Sequence, residues 1–382
     1  MVDDLELLGR WREGDDAAGE ALIRAHYTAV FGQIRAKVNG DSDLAAELTQ
    51  RVFEVLLPRV WGLIELSAKA NINLTIDAEE VDRLELSLDV FEALAQRVKQ
   101  HCPQWRGFGL AIQAYQTRAL HVIEEVSRIG RELGLRFMMR LVKGAYWDGE
   151  IKRAQEMGLP AYPVFTHKHH TDISYLSCAK ALIDASDVIY PQFATHNAGT
   201  ISAILQMARA KGAKFEMQRL HGMGEGVYRE VLKDRELLCR VYAPVGEHRD
   251  LLAYLVRRLL ENGANSSFVH QLADESVGMN ELLISPLRLE GEGSLPLPLD
   301  MFGSVRKNSA GRDLADASMR AALLALPLLN ALLPGALLRG GYRRSGATDI
   351  VYLSSTAREP SRSADTPRAC SMAARSARSR VW

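Results

Sequence analysis

The feature that most constrains this 382-residue chain is a strict alternation of short apolar runs with longer helical patterns between residues 72 and 246. The stretches between the runs, such as VDRLELSLDVFEALAQRVKQ, place apolar residues at i, i+3, i+4 and i+7, which predicts amphipathic helices. Strand, helix and strand in succession predict parallel strands with right-handed crossovers, buried on both faces. The six runs are INLTID (72–77), GFGLAIQAY (107–115), RFMMRLVKG (136–144), VIYPQFATH (188–196), KFEMQRLHG (214–222) and LCRVYAPVG (238–246).

Polar and ionisable residues gather at the carboxyl ends of these runs. In a β/α barrel the active site is built at that end of the strands, so six strands would deliver side chains to one mouth. A doubly wound sheet would also collect residues there, but no GxGxxG motif follows the first run, and the pattern favours the barrel. The residues are Asp77, Gln113, Lys143, His196, His221 and Tyr242.

Charge, hydropathy and cysteine spacing exclude several classes of protein. The 47 basic and 47 acidic residues balance, so no bulk attraction to nucleic acid is expected, and neither is direct DNA binding. No apolar run is long enough for a bilayer, and the acidic start MVDDLELLGRWREGDD does not resemble a signal peptide, which predicts a cytoplasmic protein. The four cysteines lack CxxC spacing, which predicts reduced thiols and argues against a zinc site.

The two ends of the chain differ from this middle region. Residues 1–57 carry no strand signal and predict an α-helical segment, whereas 58–290 hold the predicted barrel. Residues 291–331 begin with the proline- and glycine-punctuated GEGSLPLPLDMFGSVRKNSAG and continue into an apolar helix. The Arg-, Ser- and Ala-rich residues 332–382 lack a packing pattern and predict a disordered tail.

The stretch YLVRRLLE (254–261) places two adjacent arginines and a glutamate in an apolar helical run. On a helix Arg257 and Glu261 share a face and can pair, while Arg258 points elsewhere. Taken alone, the pattern is typical of a solvated ion pair, and the alternative is an anion-binding site. A second polar cluster, THKHH (166–170), is not accompanied by carboxylate ligands, and no metal site is predicted.

Five long motifs together resemble the proline dehydrogenase domain of proline utilization A, a flavin enzyme built on a β/α barrel. They are RLVKGAYWDGEIKRAQ, YPQFATHN, FEMQRLHGMGE, RVYAPVGEH and YLVRRLLENGANSSFV, in the family's order, and the resemblance extends from about residue 58 to about residue 310. It implies that FAD lies across the mouth of the barrel. It also implies that L-proline is oxidised to 1-pyrroline-5-carboxylate, on the route from proline to glutamate.

The resemblance also assigns roles to individual residues of this sequence. For catalysis it implies Asp77, Tyr146, Tyr242, Arg257 and Arg258. For substrate binding it implies Ala145, Tyr242, Tyr254, Arg257, Arg258 and Glu261, with the two arginines binding the proline carboxylate and Glu261 balancing their charge. For FAD binding it implies Gln113, Arg140, Val142, Lys143, Gly144, Trp147, Thr195, His196, Arg258 and Glu261. Asp77 is equally suited to cap the helix that follows it.

The resemblance is incomplete at the amino-terminal side. The family's barrel begins with two strands before INLTID, one of which carries a substrate-site lysine, and residues 1–57 resemble instead the start of an extracytoplasmic-function sigma factor. An incomplete barrel with weakened activity is therefore expected, together with a separate or lost pyrroline-5-carboxylate dehydrogenase. The alternative is an inactive truncated or fused protein that contacts RNA polymerase weakly through residues 1–57.

Overall fold

The computed structural model describes Arg10, residues 55–263, and later residues at 276, 278, 280, 283–289, 295–311, 313, 342–344 and 351–353. The predicted helices of residues 1–54, apart from Arg10, lie outside the described residues, and so does most of the predicted tail. The chain divides into two compact units, Met1–Leu326 and Pro327–Trp382.

Strands and α-helices alternate through residues 55–263, where β3 alone is followed by two α-helices. The strands are β1 (Leu74–Ile76), β2 (Phe108–Gln113), β3 (Phe137–Val142), β4 (Ile189–Ala194), β5 (Glu216–Leu220) and β6 (Leu238–Tyr242). The α-helices are α1 (Leu57–Ala70), α2 (Leu84–His101), α3 (Ala119–Leu133), α4 (Trp147–Met157), α5 (Lys168–Asp184), α6 (Ala198–Lys211), α7 (Glu225–Val231) and α8 (His248–Gly263). Short 3-10 helices occupy Val81–Arg83, Pro286–Arg288 and Pro298–Asp300.

The six strands form one sheet in which all pairs are parallel and the spatial order equals the chain order. Each of the six predicted runs contains one strand, and the polar ends of the runs form loops. Strand order equal to chain order is typical of a β/α barrel, whereas a doubly wound sheet reverses its order at a switch point. The predicted α/β barrel class is therefore confirmed, with β1 and β6 as the edges of the sheet within the described residues.

The hydrophobic core lies between the sheet and its helices. On β3, Phe137, Met139 and Leu141 are at most 1% exposed, while the residues between them are half-buried on the opposite face. Phe91 of α2 packs against Phe137 and stacks on Phe108, each with ring centroids 4.9 Å apart. The prediction of burial on both faces is thus wrong for β3, because Met138, Arg140 and Val142 on the second face are only half-buried, and Arg140 and Val142 line the cavity.

Two buried tyrosines tie helices to the carboxyl ends of the strands. The Tyr175 hydroxyl, on α5, lies 3.2 Å from the carbonyl oxygen of Leu141 and 3.1 Å from that of Ala194. The Tyr228 hydroxyl, on α7, lies 2.8 Å from the carbonyl oxygen of Thr195. Each phenol has one proton to donate, so each hydroxyl bonds to a carbonyl at the carboxyl ends of the strands and ties its helix to the mouth of the sheet.

Residues 295–311 together with Asp313, here named the strap, pack against α4 although the sequence predicts a linker there. The Asn308 side-chain amide donates to the carbonyl of Gln155 at 2.8 Å. Arg153 of α4 forms a two-pronged ion pair with Asp313 at 3.0 and 3.1 Å. The strap is therefore part of the packed structure around α4.

Three of the four cysteines, Cys102, Cys178 and Cys239, are described and carry free thiols, whereas Cys370 lies outside the described residues. None of the described helices is long and apolar enough to cross a membrane. In the second unit, β7 (Tyr342–Arg344) and β8 (Val351–Leu353) pair antiparallel within the segment predicted to be a disordered tail. The predicted domain boundaries themselves stay predictions.

The contact between α4 and the strap generates a stability prediction at Gly158, which ends α4 with φ of +59°. A Cβ added there would lie 1.7 Å from the carbonyl oxygen of Ser309 in the strap. We expect Gly158→Ala to lower the free energy of unfolding by roughly 2–4 kcal/mol, measured by denaturant titration, because backbone strain and a backbone clash add.

The matched control is Gly212→Ala at the end of α6. Gly212 has φ of +66° and open space around the added Cβ, so only the left-handed strain of roughly 1 kcal/mol applies. Equal losses of unfolding free energy in the two variants would show that the strap does not pack against Gly158 in solution.

Candidate functional site

A cavity of about 360 Å³ opens at the carboxyl ends of the strands and is closed on one side by α8. Its wall contains fourteen of the sixteen residues predicted for the site, and it also contains seven that the sequence does not single out. The predicted ones are Asp77, Gln113, Arg140, Val142, Lys143, Gly144, Ala145, Tyr146, Thr195, His196, Tyr242, Tyr254, Arg257 and Arg258. The others are Ala78, Glu79, Ala111, Ala194, Asn197, Leu220 and Met223, most of which are sequence neighbours of predicted residues at a strand end.

Of the two remaining predicted site residues, Trp147 lies outside this wall. The Trp147 indole donates to the carbonyl of Phe165 at 2.8 Å, and the residue is 36% exposed. Glu261 lies on α8, but its side chain is outside the described part of the chain, so its predicted pairing with the arginines stays a prediction. His221, at the end of β5, is exposed and also lies outside the cavity wall.

Arg140 is held in the cavity wall by side chains from three strands. Its Nη1 donates to Asp77 Oδ1 at 2.6 Å, and its Nε donates to Gln218 Oε1 at 3.0 Å. The guanidinium also lies over the ring of Tyr242, 5.4 Å from the centroid. Three contacts, from the residue after β1, the middle of β5 and the end of β6, hold one planar cation, so its position relative to the cavity is well defined.

The adjacent arginines of α8 both face the cavity, each against an aromatic ring. The Arg257 guanidinium lies 5.1 Å from the Tyr146 ring centroid, and that of Arg258 lies 5.2 Å from the Tyr254 ring, one turn earlier on the helix. Both arginines are half-buried. This placement favours the anion-binding interpretation of the RRxxE pattern over a solvated ion pair.

The loop between β3 and α4 brings backbone close to the cavity because of Gly144. Its φ is +138°, and an added Cβ would lie 2.4 Å from the Tyr115 ring. Lys143, beside it, forms an ion pair with Asp172 of α5. At the end of the loop, burial raises the pKa of Tyr146 even though Arg257 opposes the shift, so the phenol stays protonated near neutral pH.

Gln113 and Thr195 present polar groups from the ends of β2 and β4. The Gln113 amide nitrogen donates to the carbonyl of Glu79 at 3.0 Å, while its buried Oε1 has no hydrogen-bond partner among the described residues. The Thr195 hydroxyl accepts the backbone N–H of Asn197 at 3.2 Å. A buried acceptor without a partner is costly, which suggests that a ligand donor meets it.

His196 is held as a neutral imidazole. Its Nε2 accepts the backbone N–H of Leu220 at 3.3 Å, which leaves the proton on Nδ1. Burial and the nearby cations Arg219 and Arg258 lower its pKa to about 4. The ring is therefore a hydrogen-bond donor through Nδ1 at physiological pH.

The rings of the three histidines of the THKHH motif lie close together. The rings of His169 and His170 lie with centroids 4.2 Å apart, and His167 lies 5.1 Å from His170. In the part of the chain that the structure describes, no group of three or more His, Cys, Asp or Glu side chains is arranged to hold a metal ion.

The neutral state of His196 generates a prediction on pH. The unfolded chain binds a proton at this histidine below about pH 6.5, whereas the folded chain does so only near pH 4, so stability falls as pH falls through this window. We expect His196→Gln to make the fall shallower by up to about 1.4 kcal/mol per pH unit, measured by denaturant unfolding between pH 4.5 and 7. His121→Gln, at an exposed histidine of α3, is the control, and identical slopes in the two variants would contradict the prediction.

Three comparisons with known proteins bear on this site. The chain is 49% identical over 302 residues to the bifunctional protein PutA of Klebsiella aerogenes, covering 74% of this chain and 23% of that protein. A solved structure of a variant of Bradyrhizobium japonicum proline utilization A matches with a TM-score of 0.67 at 50% identity, covering 72% of this chain and 29% of that chain. Proline utilization A from Bdellovibrio bacteriovorus, in a form inactivated by N-propargylglycine, matches with a TM-score of 0.63 at 32% identity, covering 74% and 29%.

The chain thus spans less than a third of the length of these relatives. The family model described as proline dehydrogenase matches residues 10–271. That range includes most of residues 1–57, for which the sequence predicts a sigma-factor-like segment, and no comparison supports that resemblance. From the extent of the family match and the identity to its relatives, we conclude that the chain belongs to the proline dehydrogenase family.

Proposed function

We propose that this chain oxidises L-proline to 1-pyrroline-5-carboxylate with FAD as the electron acceptor. The observation that carries the proposal is the pair of adjacent arginines on α8, which face the cavity where Arg140 and three tyrosines also converge. Family membership agrees with this chemistry. The full-length relatives are longer than this chain, so the activity is proposed for this chain and is not taken over from them.

The arginine pair suits the carboxylate of a small amino acid. A guanidinium offers planar N–H donors that match a carboxylate in a two-pronged geometry, and its charge does not depend on pH. Arg257 and Arg258 would bind the carboxylate, with Glu261 balancing their charge. The apolar ring of proline would lie against the aromatic faces of Tyr146, Tyr242 and Tyr254, with Ala145 beside it.

The remaining cavity wall fits FAD. The Gln113 Oε1, which has no hydrogen-bond partner among the described residues, offers an acceptor for a ring N–H, and Arg140 and Lys143 supply positive charge. Gly144, whose missing Cβ lets the loop pack on the Tyr115 ring, presents its backbone in the same wall. Val142, Thr195 and neutral His196 complete the proposed contacts on the same wall, and Trp147 and Arg258 are assigned to the cofactor by family resemblance. When bound, FAD supplies the acceptor for the hydride equivalent that leaves the substrate.

In the proposed reaction the C5–H bond of proline breaks and its electron pair leaves with the hydrogen to the acceptor that FAD would supply. The N–H proton is released to solvent, and an N=C5 double bond forms. This requires the neutral amine, because the nitrogen lone pair stabilises the positive charge that develops at C5. The positive charges of Arg257 and Arg258 disfavour a protonated amine nearby and so lower its pKa. Tyr146 keeps its own proton, so its hydroxyl orients substrate as a donor and does not act as a base. Asp77 contributes by holding Arg140.

Two further parts of the proposal concern partners. The product is an imine in equilibrium with an aldehyde, so a pyrroline-5-carboxylate dehydrogenase would take it onward. Two expectations from the sequence stay predictions, because residues 1–54 apart from Arg10 lie outside the described residues. One is weakened activity from an incomplete barrel, and the other is the alternative of an inactive protein that contacts RNA polymerase.

A flavin spectrum tests the proposal directly. We expect the purified protein to bind FAD and to show a flavin band that L-proline, but not D-proline, bleaches under anaerobic conditions. N-propargylglycine, which inactivates the Bdellovibrio relative, should inactivate the protein irreversibly, and excess L-proline should slow that loss. A purified protein that is colourless and does not bind added FAD would refute the proposal.

Substitutions in the arginine pair test the carboxylate assignment. We expect Arg257→Met or Arg258→Met to lower kcat/KM by roughly one to two decades, mainly through KM, because each removes charge-assisted hydrogen bonds of roughly 1.5–3 kcal/mol while keeping packing volume. The control is Arg249→Met, at an exposed position of the same helix outside the cavity wall. An unchanged KM in Arg258→Met would contradict the carboxylate assignment and show that the motif forms an ordinary solvated helix face.

A further inference from the structure

A polar network on the inner face of the sheet leads from a buried carboxylate to Arg140. It begins at Glu216, which is 4% exposed on β5, and continues to Gln192 on β4 and Gln218 on β5, each 1% exposed. Strand register places Arg140 beside Gln192 and Gln192 beside Glu216. Neither Glu216 nor either glutamine lines the cavity, so this cluster lies beneath the proposed site.

Glu216 is fully used as an acceptor. Its Oε1 accepts the amide nitrogens of Gln192 at 3.0 Å and Gln218 at 2.8 Å, together with Nε of Arg240 at 2.8 Å. Its Oε2 accepts Nη2 of Arg240 at 3.0 Å. An ionised carboxylate can only accept, so both glutamines must turn their NH2 groups toward it.

This requirement decides which way the Gln218 amide faces. With its NH2 group on Glu216, its carbonyl oxygen points to Arg140 and accepts the Nε–H at 3.0 Å. The Nη1 of Arg140 is then directed to Asp77 at the cavity mouth. If the amide turned over, its NH2 group would face the N–H of Arg140, and two donors would repel each other.

We propose that Glu216 and Gln218 are positioning residues for Arg140, which Glu216 orients by fixing the direction of the Gln218 amide. The proposal rests on the proposed function, in which Arg140 lies beside the flavin. A cation beside an electron-accepting ring favours its reduction, so a displaced guanidinium should slow electron transfer more than substrate binding. The carboxylate contacts of Arg257 and Arg258 do not depend on this network.

Gln192 provides a matched control because it resembles Gln218 in burial and in its bond to Glu216, but only the Gln218 side chain accepts a hydrogen bond from Arg140. Both amides are equally buried, and both donate to the same oxygen of Glu216. The Oε1 of Gln192 has no hydrogen-bond partner among the described residues, whereas that of Gln218 accepts from Arg140. A purely structural role predicts that Gln192→Met and Gln218→Met behave alike.

The experiment compares Gln218→Met, Gln192→Met and Glu216→Gln with the wild-type enzyme. We expect Gln218→Met to lower kcat by roughly tenfold, about the size of one charge-assisted hydrogen bond, with KM for proline within about twofold. The flavin midpoint potential should become more negative. Glu216→Gln keeps the volume but lets the Gln218 amide turn over, so it should shift kcat and potential in the same direction. Gln192→Met should keep wild-type kcat and potential.

A second readout works without bound flavin. In protein labelled with ¹⁵N-arginine, the Nε–H signal of Arg140, assigned through its loss in Arg140→Lys, should exchange faster with water in Gln218→Met and Glu216→Gln but not in Gln192→Met. Equal exchange and kinetics in Gln218→Met and Gln192→Met would overturn the positioning role. A wild-type protein that binds no flavin yet shows this exchange pattern would refute the proposed function while supporting the positioning role.

Discussion

Parallel pairing of six strands in chain order is the constraint on which the rest of this structure depends. It brings the carboxyl ends of all strands to one side, so residues more than a hundred positions apart line one cavity. It also obliges every connection to return across the sheet, and the returning helices bury the outer face, as Phe91 does against Phe108 and Phe137. The site and the core are thus two consequences of one hydrogen-bonding pattern.

The mouth of the sheet is stabilised by buried polar side chains on the helices and strands beneath it. Tyr175 and Tyr228 form hydrogen bonds to carbonyls at the strand ends, while Glu216 accepts hydrogen bonds from side chains on three strands. Such groups cost desolvation, and they contribute only because each is satisfied by several partners. A cavity wall built on them can hold cations such as Arg140 in one orientation, which a mobile surface arginine would not have.

Positive charge dominates the cavity, and its distribution is uneven. Arg140 and Lys143 are each paired with an aspartate, and Arg257 and Arg258 each lie against an aromatic ring. An aromatic face attracts a cation without neutralising its charge, so these rings position the two α8 guanidinium groups at the cavity wall. This division agrees with a carboxylate subsite on α8 and a cofactor subsite over β2 and β3 in the proposed function.

The sequence by itself determined the alternation of strands and helices, and its family motifs predicted most residues of the cavity wall. Both depend only on residues that are close together in the chain, because hydrophobic periodicity and motifs are local patterns. The sequence did not reveal Gln218, Glu216 or the strap, since their roles depend on partners far along the chain. The assignment of Trp147 to the cofactor stays a prediction from the family resemblance, and the indole donates to the carbonyl of Phe165 outside the cavity wall. Only the tertiary structure decided these points, because strand register and helix packing alone set which distant groups come within hydrogen-bond distance.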